Sequence, residues 1–263
     1  MLELCHIGLG FMFLLASNVF AADRILDATE LEHAPVSLTG YFGVLEDAGL
    51  GLTLADVLKP EINSQFRTDI PHGESLHFGF TSSAYWLRLN LQNRGNHAIE
   101  GMLEIAATHL ASIQFHQPVT NQHYQTIETG YLKIFSERPY KNRYFVFPLT
   151  LPAHADQIYY LRILTPDPLE VPAFLWERSA FHAHERLVYV GLACYFGAAM
   201  AMLIYNFFLF LILRDIEYLL YLAFAATMVL VSAAYAGIAP EFLWGNSPAW
   251  TKISTMFLLS VTI

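Results

Sequence analysis

Cysteine is nearly absent: Cys5 and Cys194 are the only two in 263 residues. Cys5 lies ahead of an apolar run over 7–16, which is too short to span a bilayer and is followed by Val19-Phe20-Ala21 with small or apolar residues three apart. That pattern predicts a secretory signal peptide over 1–21, cleaved after Ala21. No Lys or Arg precedes the run, so an uncleaved anchor is the alternative. After cleavage one thiol remains, and a disulfide framework is excluded. A polar region of roughly 160 residues must then be held by a hydrophobic core, for which it is long enough.

Charge is scarce too, at 14% of residues, while apolar residues make up 55%. The scarcity is local. No Asp, Glu, Lys or Arg occurs from Leu187 to Leu213, nor from Tyr218 to Pro240. Both runs are long enough to cross a bilayer as helices, so the lipid bilayer is an expected partner. A further apolar run, 253–263, is too short to cross and is expected to be the start of a third span. The spans are therefore expected at about 187–213, 218–237 and 253–263. The polar turn "RDIEY" at 214–218 joins the first two, and export of the N-terminal region places that turn in the cytoplasm.

Basic residues are in the minority. Between Ala22 and Arg186 there are 12 Lys or Arg against 19 Asp or Glu. This acidity argues against nucleic acid and against an anionic lipid surface, both of which need a basic patch. Catalytic signatures are missing as well: there is no Gly-x-Ser-x-Gly, His-Glu-x-x-His, P-loop or Gly-x-Gly-x-x-Gly pattern. No catalytic residue, cofactor or metal is assigned. His182, His184 and Glu185 invite a metal reading, but residues two apart on a helix point in different directions. Paired carboxylates of the kind that cleave glycosides are not singled out among the acids.

What is present is alternation. "AYWLRLNLQN" places Tyr85, Leu87, Leu89 and Leu91 on one face of a strand and Trp86, Arg88, Asn90 and Gln92 on the other. Further strands are expected over 101–107, 111–118, 144–151, 158–165 and 172–177, separated by Gly, Pro and Asn turns. Residues 52–58 suggest a short helix that Pro60 stops. Short alternating strands with few helices indicate a mainly β sandwich of jelly-roll type over 24–185, followed by helical membrane segments. "YYLRILT" echoes "YWLRLNL" and puts Arg162 in a position equivalent to Arg88.

Arginines within strands beside aromatics can bind carboxylates, phosphates or sugars, and Trp86, Arg88, Arg138 and Arg143 are the candidate ligand contacts. The competing reading is structural, with each Arg capping a strand or pairing with Glu104, Asp156 or Glu170. No Gly/Ser linker separates "ERSAFHAHER" from the first span, so movement of the sandwich can pass to the span mechanically. In that span Ala193, Gly197 and Ala201 recur every four residues and form a seam for another helix, within the bundle or in a homodimer. Asn206, expensive in hydrocarbon, is expected to bond a neighbouring helix.

Several stretches together resemble one family. These are "YFGVLEDAGLGLTLADV" with Asp47, the Tyr85-Trp86-Leu87-Arg88 strand with Leu91 and Asn93, and the pattern of Gly130, Arg138, Pro139 and Arg143. "YYLRI", "LWERSAF", "YFGAAMAMLIYNFFLFLILRD" and "EYLLYL" continue it into the membrane region. The chain resembles the bacterial seven-transmembrane receptors with diverse intracellular signalling modules, with their type 2 extracellular domain. The resemblance implies a periplasmic jelly roll similar to carbohydrate-binding modules, a seven-helix bundle in the inner membrane, and a cytoplasmic output such as a histidine kinase or diguanylate cyclase. The expected function is a non-enzymatic sensory input that binds a small molecule, a carbohydrate among the candidates. The alternative is a module that recognises a periplasmic protein.

Overall fold

A computed structural model describes residues 24–31, 34–69, 73, 75–120 and 123–261; the signal peptide expected over 1–21 lies outside the described residues. In chain order the strands and first helices are β1 (Ile25–Asp27), β2 (Val36–Ser37), β3 (Phe42–Asp47), α1 (Leu54–Val57), α2 (Pro60–Asn63), β4 (Leu76–Gly79), β5 (Ala84–Gln92), β6 (Ile99–Ile105), β7 (Ser112–Thr120) and β8 (His123–Thr129). There follow β9 (Phe145–Leu151), β10 (Asp156–Leu164), β11 (Leu169–Val171), β12 (Ala173–Glu177), α3 (Arg178–Leu213), α4 (Ile216–Tyr235), α5 (Ile238–Phe242) and α6 (Pro248–Val261).

The strands form two layers. The larger sheet runs β1-β5-β10-β7-β8, with β3 pairing antiparallel to the first part of β5 and β1 parallel to its end. The smaller sheet runs β2-β12-β6-β9, and β4 pairs with β11 apart from both. The chain changes sheets from β5 to β6, β6 to β7, β8 to β9 and β9 to β10, the winding expected of a jelly roll. The alternation read from the sequence decides the inner faces. Leu87, Leu89, Leu91, Ile113, Phe115, Leu161 and Ile163 of the larger sheet meet Leu103, Ile105, Phe145, Phe147 and Leu175 of the smaller. Phe115 bridges the layers, with its ring centroid 4.6 Å from Phe147 and 5.8 Å from Tyr159.

Each outer face is covered in part. The segment carrying α1 and α2 lies over the larger sheet, burying Val57 and Phe66 against Trp86 and Tyr160. Pro60 does not stop a helix there but starts one, because the first helical position needs no N–H. The preceding helix begins at a capping box, with Thr53 and Asp56 bonding each other's backbone. Over the smaller sheet lies the start of α3, whose Phe181 packs among Met102, Val146 and Trp176. This helix starts at Arg178 and continues unbroken through the first long uncharged run. Its 36 residues reach about 54 Å at about 1.5 Å each, more than a bilayer's hydrocarbon core of about 30 Å.

α3 and α4 are long and apolar enough to cross a membrane by length and composition. Arg214 in a left-handed conformation closes α3, and Asp215 caps α4. Ala193, Gly197 and Ala201 all lie on exposed positions, and a Cβ at Gly197 would meet open space, so the small-residue seam is not used within the described chain. Asn206 is buried, and its amide donates to the Met202 carbonyl one turn back in its own helix rather than across to another.

Gly130 is a conformational requirement. Its φ is +141°, and a Cβ there would stand 2.1 Å from the backbone oxygen of Ala111, just ahead of β7. Gly130→Ala is expected to destabilise the sandwich by about 3 kcal/mol or more, since both clashing groups are backbone. Chemical denaturation followed by tryptophan fluorescence checks this, and a variant as stable as wild type would contradict the close approach.

Candidate functional site

Two polar clusters occupy opposite outer faces of the sandwich. The first lies under the α1–α2 segment. In the antiparallel β5–β10 pair Trp86 stands opposite Arg162 and Arg88 opposite Tyr160, while β7 sets His116 opposite Tyr160. The echo between the two strands thus brings its two arginines to one face of one sheet. Trp86 stacks on His116 with centroids 5.4 Å apart and planes 15° apart.

Both arginines hold the roof. The Arg88 guanidinium donates to the Asn63 carbonyl at 2.9 Å and to its side-chain oxygen, and lies 4.5 Å over the Phe66 ring. Asn63 in turn donates to Tyr160 Oη at 2.9 Å. Arg162 donates to the Leu50 carbonyl at 3.3 Å and sits 3.6 Å from Asp47, whose carboxylate also accepts the N–H groups of Gly51 and Leu52. Beneath the roof Trp86 is 1% exposed and His116 4%. His116 Nδ1 meets Thr126 Oγ1 at 2.8 Å, and burial pulls the imidazole down to about 4, so it is neutral at pH 7. Among the described residues, Trp86 Nε1, His116 Nε2 and Arg162 Nε are buried without a hydrogen-bond partner.

The second cluster joins the sandwich to the membrane helices. Arg138 is partly buried, donates to the carbonyls of Asn142 and Arg143 at 2.8 and 3.3 Å, and lies about equally close to the rings of Phe135 and Phe145, at 4.5 and 4.4 Å. It shapes the loop between β8 and β9. Arg143 donates through its side chain to the Ala236 carbonyl just beyond α4, and through its backbone N–H to Tyr189 Oη on α3. Tyr189 donates its own hydroxyl hydrogen bond to Glu241 of α5 at 2.7 Å. Glu185, on α3, accepts from Tyr140 Oη at 2.7 Å and from the Asn142 amide at 2.6 Å. His182 lies 3.5 Å from Glu185, whereas His184 turns away and stacks on Trp176 at 4.7 Å. Among the described residues no group of three His, Cys, Asp or Glu converges as a metal site.

The four candidate contacts therefore do not form one pocket. Trp86 and Arg88 share the roofed face, and Arg138 and Arg143 share the joint. Among the described residues none of these arginines pairs with Glu104, Asp156 or Glu170; backbone carbonyls, Asn63 and Asp47 take those places. Sequence reasoning missed His116, Asn63, Tyr189 and Glu241. An alternating strand pattern shows no partner for His116, and Glu241 signals itself only as a lone acid in the loop between apolar runs.

A β-sandwich whose closing helix runs on into a stretch long and apolar enough to cross a membrane has the build of a membrane receptor with an extracellular domain. The chain belongs to the 7TMR-DISM receptor family: residues 39–177 match 7TMR-DISM extracellular 2, and residues 189–263 match 7TM diverse intracellular signalling. No curated protein matches. Among solved structures, the chain is similar at 12% identity to a family GH115 4-O-methyl-alpha-glucuronidase with specificity for decorated arabinogalactans. That match has a TM-score of 0.23 and covers 58% of this chain and 17% of that one. It is similar at 10% identity to CBM32-3 from a family 31 glycoside hydrolase of Clostridium perfringens, with a TM-score of 0.20, covering 39% of this chain and 71% of that one.

The two clusters answer pH in opposite directions. Glu104 accepts from Trp176 Nε1 at 2.8 Å beside the start of α3, and burial raises its carboxyl above the ordinary 4.5. A raised folded-state value means that its contribution is full below pH 4.5 and is lost as pH climbs through the raised value. For His116, lowered from 6.5 to about 4, the contribution is full above pH 6.5 and is lost as pH falls toward 4. Glu104→Gln, which keeps an acceptor for Trp176, is expected to gain on wild type as pH rises from 4.5. His116→Asn is expected to flatten the acid side between 6.5 and 4. Melting curves of the full chain in nanodiscs check both, and profiles parallel to wild type would contradict the assignments.

Proposed function

We propose that this chain is the input part of a signalling receptor in a bacterial inner membrane, non-enzymatic in itself. Its periplasmic sandwich binds a small polar ligand of the carbohydrate class and passes the event through α3 toward the cytoplasm. The observation that carries this reading is α3 itself: one continuous helix is docked on the smaller sheet through Phe181, tied to the sandwich loop through Glu185 and Tyr189, and long and apolar enough to cross a membrane. A helix of that kind moves as a unit, so a ligand that favours one setting of the sandwich favours one setting of the span.

The roofed face is the place for the ligand. Its buried Trp86 and Arg162 N–H groups match the hydroxyl oxygens of a sugar, and the Trp86, Tyr160 and Phe66 rings supply apolar surface for the ring. Arg88 belongs to this site through Asn63, by holding α2 over it. Arg138 and Arg143 act in transmission, by fixing the loop that meets α3 and the end of α4.

Titration calorimetry of the full chain in nanodiscs against neutral sugars, uronates and small organic acids tests the reading. Trp86→Phe keeps a ring and removes one donor, so it is expected to weaken binding about tenfold while the melting temperature moves by a few degrees. Absence of binding across the panel, or undiminished affinity in the variant, counts against this site.

A further inference from the structure

A cavity of about 370 Å³ opens where the sandwich meets the membrane helices, away from the roofed face. The turns of the sandwich supply Thr108, Tyr131 and Asp167, α4 supplies its last residue Tyr235, and α6 supplies Lys252 and Met256. The end of α4 and the start of α6 set the height of this cavity at the outer surface of the bilayer. Trp244 and Trp250, which pack edge to face at 6.2 Å beside it, are the residues expected at that depth.

Its charges are arranged in order. Lys252 is the only Lys or Arg after Arg214, and among the described residues no hydrogen bond or ion pair engages its ammonium. On the sandwich side Asp167 accepts Tyr131 Oη at 3.0 Å and Thr165 Oγ1 at 3.5 Å, both through Oδ2, and among the described residues Oδ1 accepts no hydrogen bond. Proceeding out of the membrane, the wall therefore offers the apolar Met256, which is 72% exposed, then a cation, then an anion. A phospholipid with an amine-bearing headgroup presents the complement in the same order: acyl chain, phosphate, ammonium.

We propose that this cavity binds the headgroup of a zwitterionic phospholipid carrying a primary ammonium, with its phosphate at Lys252 and its ammonium at Asp167. Such a lipid touches the sandwich and two membrane helices at once and so sets their relative position. The site is independent of the ligand proposed for the roofed face.

Native mass spectrometry of the full chain, released from detergent after equilibration with dioleoyl phosphatidylethanolamine, phosphatidylglycerol or phosphatidylcholine, tests the proposal. Phosphatidylethanolamine is expected to be retained about tenfold better than the other two. Lys252→Ala is expected to lose retention of phosphatidylethanolamine and phosphatidylglycerol, Lys252→Arg to keep it, and Asp167→Asn to lose only the preference for phosphatidylethanolamine. Equal retention of all three lipids, or variants indistinguishable from wild type at unchanged melting temperature, overturns it. So does binding of soluble glycerophosphoethanolamine or inorganic phosphate as tight as that of the lipid. Sugar titrations of Lys252→Ala are expected to match wild type, so failure here leaves the roofed-face reading standing, and the reverse also holds.

Discussion

Phe181 is 1% exposed, although a few turns further along the same helix Leu187 and Val190 stand bare at 74% and 60%. The difference is the constraint on which the rest of the molecule depends. Burying a phenylalanine side chain is worth about 2 to 3 kcal/mol, and here Met102, Val146 and Trp176 of the smaller sheet receive it. Glu177 caps the helix through the Ala180 N–H, so α3 begins where β12 ends, without a flexible joint. The Arg178–Glu100 ion pair beside it is exposed on both sides and contributes little. Apolar docking and helical continuity, rather than surface charge, make the sandwich and the first span one lever.

Hydrogen bonds then orient that lever. Glu104, Glu185 and Glu241 face neutral donors, namely the Trp176 indole, the Tyr140 and Tyr189 hydroxyls and the Asn142 amide. Arg138 and Arg143 spend their side-chain donors on backbone carbonyls instead of these acids. Contacts between a carboxylate and a neutral donor are directional and individually worth about 1.5 to 3 kcal/mol. A joint made of several can have two arrangements separated by a few kcal/mol, the range in which a ligand's differential affinity shifts populations. A core of interdigitated apolar side chains at the same place would resist rearrangement until it broke.

Much of this architecture could be read from alternation and charge. Leu87, Leu89 and Leu91 announce their shared face, and the two uncharged runs announce the spans. Period two says which side of a sheet a residue occupies, but not what lies on top of it. Trp86 and Arg88 were therefore legible as one face and illegible as a roofed one. The segment over them hides behind Pro60, which reads as a stop and serves as a start. β8 escaped because it is an edge strand with exposed residues on both faces and offers little apolar period. The partners of Arg138 and Arg143 are backbone carbonyls, which every residue possesses, so no side-chain type in the sequence could indicate them.

The second arginine of the echoed strands sits on the strand that joins two distant parts of the sandwich. Arg162 lies under the roof, and the same strand, β10, leads through Leu164 and Thr165 to Asp167 at the membrane-side cavity. From Arg162 to Leu164 the strand covers about 7 Å at about 3.3 Å per residue, and a bend at 166–167 completes the path. β10 sits between β5 and β7, hydrogen-bonded on both edges, and its inner side chains Leu161 and Ile163 are fully buried. It cannot bend locally without breaking ladder bonds or opening the core. It therefore holds Arg162 at a fixed distance from the turn that faces α4 and α6. The larger sheet is thus a stiff frame for its roofed face, on the layer opposite the one that receives α3.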